Sequence, residues 1–335
     1  MKLEDKINIV KDTLKDKKVA IGFSGGADST LLTYLSSQVA ADTLAITIDN
    51  HLFPEGFVEN AKKHCETFAI KHKVIDINFY DNEEFLKNSS KRCFTCREMM
   101  YSIIQEIGKE NGLDFICDGN NISDLIADRP GILITYAKEF KTPFIEAKLT
   151  SAEIHEYLNK NNISYSKSTT CLATRIPTNT KTTKEKIKKI NYCENYILDN
   201  TSCEIVKVRD LNETCIIEVD DITEILSENK FKLINDALKS QGFGKVTLNL
   251  SEIDDDEKIN IDYMEGSFSY RLPYTINLES TKGQIENIIS YDEEKIQLDK
   301  ITVYENGLIK GYDFDDYEAA IDAFMNILQK LRRNI

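Results

Sequence analysis

Lys18-Val-Ala-Ile-Gly-Phe23 is an apolar run of strand length, and it passes directly into Ser24-Gly-Gly-Ala-Asp-Ser29. A helical pattern then occupies 29–40. A strand that turns through paired glycines into a helix presents backbone N–H groups at the helix start, where they attract anions. The alternation continues, with strands expected at 43–49, 73–78 and 114–118 and helices at 56–71 and 96–110 between them. An amphipathic helix carrying Ile7, Val10 and Leu14 precedes them all. Short apolar runs alternating with helical segments predict βαβ units, and hence an α/β fold with a parallel sheet. Ligands on such sheets lie at the carboxyl ends of the strands.

The hexapeptide itself predicts a nucleotide site. Gly25 and Gly26 permit the tight turn, Ser24 and Ser29 add hydroxyl donors, and the helix points its positive end at the anion. Asp28 is an odd neighbour for phosphate unless it holds Mg²⁺. No Gly-Lys-Ser/Thr follows, so this is not the loop that grips the β and γ phosphates with a lysine. A glycine turn with a Ser/Asp helix cap is the plainer reading, but the strand–loop–helix setting outweighs it. The hexapeptide resembles the pyrophosphate loop of the ATP-pyrophosphatase superfamily, and the likeness spans residues 15–150. It implies an adenine nucleotide alpha hydrolase-like domain that attaches AMP to a substrate oxygen and releases pyrophosphate.

Beyond it, Thr150 and Glu153 form a capping box that opens a helix through 159. The polar stretch 161–183 shows no regular pattern but contains Cys171 and Arg175, and long ordered loops are often functional. A helix at 184–199, strands at 204–208 and 215–219, helices within 221–240 and a strand at 245–250 predict a small α+β unit. An acidic break, Asp254-Asp-Asp-Glu257, precedes β-type alternation over 259–304 and an amphipathic helix at 316–332. The expected division is residues 1–165 for the ATP domain, 166–250 for a substrate domain carrying Cys171, and 251–335 for an accessory module.

The 335 residues carry a formal charge of −14, which disfavours a long phosphate backbone as partner. The opening segment is charged throughout, and no run of about eighteen apolar residues occurs. A cytoplasmic protein without membrane or nucleic-acid partners is expected. There, the eight cysteines are buried thiols, metal ligands or catalysts rather than disulfides. Arg92-Cys-Phe-Thr-Cys96 is a C-x-x-C pair that suits zinc as well as an iron–sulfur cluster. Cys171 stands in Cys171-Leu-Ala-Thr-Arg-Ile-Pro177. Cys65, Cys193, Cys203 and Cys215 are expected to be packing residues, and Cys117 to belong to a core strand. The four histidines show no cluster in sequence and none is assigned to catalysis.

Taken with Asp118-Gly-Asn-Asn121, Asp128-Arg-Pro-Gly131, Lys207-Val-Arg209 and Gly242-Phe-Gly-Lys-Val246, these motifs resemble the LarE family of ATP-dependent sulfur transferases, which help make the nickel-pincer nucleotide cofactor. The resemblance covers residues 1–250 and ends there, since Ser251-Glu-Ile-Asp-Asp-Asp256 replaces the family's glycine-tyrosine-arginine stretch. It implies ATP at Ser24, Gly25, Gly26, Asp28, Ser29 and Gly119, with Mg²⁺ on Asp28. It also implies a [4Fe–4S] cluster on Cys93, Cys96 and Cys171, as in the three-cysteine branch; in the other branch one cysteine gives up its own sulfur. The implied catalytic residues are Cys171, Asp28 and Arg175. Arg175, Lys207 and Arg209 are candidates for the phosphate of a pyridinium dicarboxylate mononucleotide, whose carboxylate would become a thiocarboxylate with sulfur from a sulfide donor. For Lys207 and Arg209 a charged strand edge is the alternative, and Glu218 is expected to bind a cation or pair with Arg209. Arg129 is expected either to order the ATP site or to hold a structural turn. A homo-oligomer is expected. The rival readings are a tRNA thiolase and an ammonia-using amide synthetase with the same loop.

Overall fold

The computed structural model describes residues 1–167, 170–227, 229–253 and 259–334. Ser168, Thr169 and the acidic break at 254–257 lie outside them. The first sheet is wholly parallel, in the order β3-β2-β1-β4, with β1 Lys18–Gly22, β2 Asp42–Asp49, β3 Lys71–Asp76 and β4 Phe115–Cys117. Val19, Ala20 and Ile21 are fully buried because helices cover both faces, and an all-apolar run tolerates that position. On one face Leu3–Leu14 and Ala27–Val39 pack with Ser151–Lys160 through Ile7, Leu31, Leu35 and Ile154. On the other, Arg92–Glu110 packs Ile104 and Ile107 against Ala20 and Ile46. The strand order reverses direction about β1, so the crevice at its carboxyl end lies between the loops that follow β1 and β4.

The capping box forms as expected: the Thr150 hydroxyl accepts from the Glu153 N–H, and Glu153 accepts from the Thr150 N–H at 2.9 Å. The stretch after it is more ordered than its composition predicts. The Ser166 N–H donates to the Gly25 carbonyl at 2.9 Å, and Leu172–Arg175 is a 3₁₀ turn whose Leu172 N–H donates to the Leu52 carbonyl at 2.8 Å. Both contacts return the chain to the carboxyl ends of β1 and β2.

A three-stranded sheet follows, β5 Val206–Leu211, β6 Thr214–Val219 and β7 Lys245–Leu248, with β5 antiparallel and β7 parallel to β6. Cys193, Cys203 and Cys215 pack in its core with Ile197, Val208 and Leu238, Cys65 is buried beneath the first sheet, and Cys117 lies inside β4. The remaining strands are β8 Asp262–Met264, β9 Ser267–Arg271, β10 Ser290–Tyr291, β11 Lys295–Gln297, β12 Ile301–Tyr304 and β13 Leu308–Gly311. They form an antiparallel sheet ordered β10-β11-β12-β13-β9-β8, covered by the helix Tyr317–Leu328. The β region thus runs beyond 304 and is interrupted by the helix Leu278–Lys282. Its core takes in Ile122, Leu125, Ile132 and Ile145, so the C-terminal module shares one apolar cluster with the loops behind β4.

Candidate functional site

The loop after β1 is organised around its own hydroxyls. Gly25 adopts φ +76°, a conformation that costs other residues energy and glycine almost none. The Ser24 N–H donates to Ser29 Oγ at 3.2 Å, and the two serine hydroxyls lie 3.1 Å apart. The Thr30 N–H donates to the Gly26 carbonyl, starting the helix two residues earlier than expected. Gly119, just after β4, is pressed against this start: a Cβ there would lie 3.0 Å from Asp28 Cβ and from the Ser29 nitrogen. It packs beneath the loop, and this close approach is the local reason for a glycine.

Asp28 accepts from Asn121 Nδ2 at 3.0 Å. Burial, reinforced by the neighbouring Asp124 carboxylate, pushes its pKa up to about 7, against the opposing pull of Arg129 and Asn121. Asp124 is itself ion-paired with Arg129. Asp28 and Asp124 both line the adjoining cavity, and a divalent cation, which prefers carboxylate oxygens, would suit them there. Above them is a cavity of about 920 Å³ lined by Ser24, Gly26, Asp28 and Ser29, a size typical of nucleotide and cofactor sites.

The structure brings Cys93, Cys96 and Cys171 within electrostatic reach of one another. Cys93 and Cys96, expected just before a helix, lie instead within the first two turns of Arg92–Glu110, on one face because they are three residues apart. Cys171 stands at the start of the 3₁₀ turn. Arg92 ties the two segments together, donating to the Ala173 carbonyl at 2.9 Å and approaching Cys93 Sγ at 3.3 Å. Buried Asn50, at the end of β2, points its amide at Cys96 Sγ, 4.0 Å away. The trio therefore sits over β2 and the nucleotide loop over β1, on adjacent strands of one sheet. Burial, then the neighbouring Cys171 and Cys93, hold Cys96 far above the ordinary thiol range. Burial likewise raises Cys171 to about 11, although the Ala173 backbone N–H and Arg92 oppose this.

Arg175 departs from expectation. Its side chain is 1% exposed, and its Nε donates to Glu194 at 2.7 Å while Nη1 donates to the Thr170 and Thr174 hydroxyls. It faces a carboxylate inside the protein, where no ligand phosphate has access. Arg209 pairs with Glu218 at 2.7 Å, the expected cross-strand partner, and reaches the Thr174 carbonyl at 3.4 Å. Lys207 lies two residues away on the same face of β5.

Two features were not read from the sequence. His51 lies between Asp49 and Asp76, with Nε2 at 3.1 Å from Asp76; among the described residues this is the one set of three such groups gathered within 4.8 Å, and the cysteine sulfurs stand wider apart. The second feature is a buried network in which Arg97 donates to the Tyr101 hydroxyl at 2.5 Å and to Asn120 at 2.8 Å, while Tyr101 donates to Asp118 at 2.6 Å. It fastens the cysteine helix to the loop after β4. The i, i+4 spacing of Arg97 and Tyr101 was its only sequence signal.

Comparison with known proteins agrees with this geometry. The PP-loop domain family matches residues 1–128. The "Uncharacterized protein MJ0830" of Methanocaldococcus jannaschii is 33% identical over 244 residues, 72% of this chain and 93% of that protein. The "Uncharacterized protein slr1717" of Synechocystis is 26% identical over 239 residues, 70% and 88% of the two chains. The pyridinium-3,5-bisthiocarboxylic acid mononucleotide synthase of Lactiplantibacillus plantarum is 25% identical over 244 residues, 71% and 87%.

Proposed function

Since the chain belongs to the PP-loop family, we propose that it is an ATP-dependent sulfur transferase that adenylates a substrate carboxylate and converts it to a thiocarboxylate. The observation that supports this reading is that the helix start bearing Cys93 and Cys96 and the turn bearing Cys171 are tied together by Arg92 beside the end of β2, the strand next to the one that feeds the nucleotide loop. In the proposed reaction the loop N–H groups and the hydroxyls of Ser24 and Ser29 hold the phosphates, and Asp28 with Asp124 holds Mg²⁺ against them. The substrate carboxylate attacks the α phosphorus and pyrophosphate leaves. Sulfur then attacks the acyl carbon, and AMP departs with one of the original carboxylate oxygens.

Three cysteines on two segments tied by Arg92, with N–H groups from Arg92 and Asn50 near the sulfurs, form a donor set whose chemistry suits an iron–sulfur cluster. Bound there, a [4Fe–4S] cluster would leave one iron open to present sulfide as the nucleophile. Burial holds the Cys171 thiol up at about 11, so either role, cluster ligand or sulfur donor, requires that proton to be lost first. We assign Arg175 a positioning role, fixing the Cys171 turn on Glu194. Lys207 and Arg209 stay as the proposed contacts for a mononucleotide phosphate, because Arg209 reaches that same turn and Lys207 shares its face of β5. The likeness to the Lactiplantibacillus plantarum synthase supports a pyridinium dicarboxylate mononucleotide as substrate.

The test is iron and acid-labile sulfide analysis of anaerobically prepared protein, with pyrophosphate release measured in parallel. About four iron and four sulfide per chain are expected, with both lost in Cys171→Ala. Iron-free protein after reconstitution, with Cys171 losing the mass of hydrogen sulfide during turnover, would replace the cluster with a sacrificial cysteine.

A further inference from the structure

We infer that the C-terminal module is a wall of the nucleotide pocket and that Arg271, at the end of β9, binds the β and γ phosphates of ATP. The cavity that begins at Ser24, Gly26, Asp28 and Ser29 is closed on another side by Asn260, Tyr270, Arg271 and Pro273. These residues lie beyond the stretch covered by the PP-loop domain. They also lie beyond the part of the chain that resembles the sulfur transferases.

Charge balance in the cavity singles out Arg271. The pyrophosphate loop supplies N–H groups and hydroxyls, but it lacks the lysine that other phosphate loops aim at the β and γ phosphates. A triphosphate with one Mg²⁺ keeps net negative charge, and Asp28, Asp124 and Glu55 on the cavity wall add more. Three cations line the same cavity. Arg129 is paired with Asp124, and Lys167 with Glu204 at 2.6 Å. Arg271 differs: its guanidinium donates to the Asn306 carbonyl at 3.2 Å, and among the described residues no carboxylate pairs with it. A guanidinium held by one neutral acceptor keeps its charge and further N–H donors for a phosphate.

The module is placed to deliver this charge without a hinge. Arg333 pairs with Asp128 at 2.6 Å, next to Arg129 in the turn that borders the cavity. The Tyr274 hydroxyl donates to the Leu125 carbonyl. The Arg332 guanidinium lies 3.9 Å from the Tyr136 ring centre. Together with the shared apolar core, these contacts fix β9 relative to the loop after β1.

The inference rests on assigning this pocket to ATP, and the experiment separates the two. Calorimetry on the full chain would compare Mg²⁺-pyrophosphate, a non-hydrolysable Mg²⁺-ATP analogue and AMP for wild type, Arg271→Ala and Arg271→Lys. Losing a charge-assisted contact should weaken pyrophosphate and the analogue about 10-fold in Arg271→Ala, with AMP unchanged. Arg271→Lys keeps the charge, leaves the Asn306 contact less disturbed, and should recover part of the loss. Wild-type affinity for pyrophosphate in both variants would overturn the role of Arg271 while leaving the pocket's assignment intact. Equal weakening of all three ligands would also overturn it, by showing a disturbed wall. A wild-type chain that binds none of the three would overturn both.

Discussion

Asp28 concentrates the chemistry of the nucleotide loop in one titrating group. Its folded pKa is about 7 against an ordinary 3.8, chiefly through burial and the nearby Asp124. Between those values the folded chain holds a proton that the unfolded chain has released, so metal-free stability falls as pH rises through that window and levels off above about 7. In the proposed role, Mg²⁺ would have to displace this proton, so its affinity should weaken as pH drops below about 7. Urea unfolding from about pH 5 to 8 should show the decline in wild type and lose it in Asp28→Asn, which should also lose Mg²⁺ dependence. A flat wild-type profile would mean that the carboxylate is already charged without metal. Arg175 carries the opposite lesson: its residue type suited a phosphate, but its surroundings commit it to Glu194.

That ion pair joins three elements. Glu194, on the helix Lys184–Asn200, accepts from Arg175 at 2.7 Å and from the Val208 N–H of β5 at 2.8 Å. Burial raises its pKa, opposed by Arg175. Removing one partner of a buried pair leaves a charge without compensation, so Glu194→Ala should cost about 3–5 kcal/mol by urea denaturation. Because Arg175 closes the turn that begins at Cys171, the variant should also hold less iron after reconstitution. A cost below about 1 kcal/mol, in the range of exposed pairs, would mean that water reaches the pair. The cysteine helix shows how an element's start escapes prediction: Lys91 provides no side-chain cap, so nothing in the sequence marked Arg92 as helical.

At the scale of the molecule, the core that supports the helix Tyr317–Leu328 also contains Ile122, Leu125 and Ile132 from the nucleotide side. Phe324 is fully buried at its centre. Phe324→Ala should cost about 3–5 kcal/mol, lower the temperature of a single shared unfolding transition, and weaken ATP binding. Two separate thermal transitions, with ATP affinity unchanged, would show that the module only leans on its neighbour. The βαβ order, the loop Ser24–Ser29, the Thr150 cap and the burial of Cys65, Cys193, Cys203 and Cys215 were all legible in the sequence. They depend on contacts a few residues apart or on periodic burial, which local pattern records directly. Three things were not: the commitment of Arg175 to Glu194, the placing of His51 between two aspartates, and the arrival of Arg271 at a pocket founded about 240 residues earlier. Composition and spacing determined which groups this chain owns. Which of them stand opposite one another was decided only by the packing of distant segments, because ionic and hydrogen-bond partners are selected by distance in space, and sequence separation leaves no trace of it.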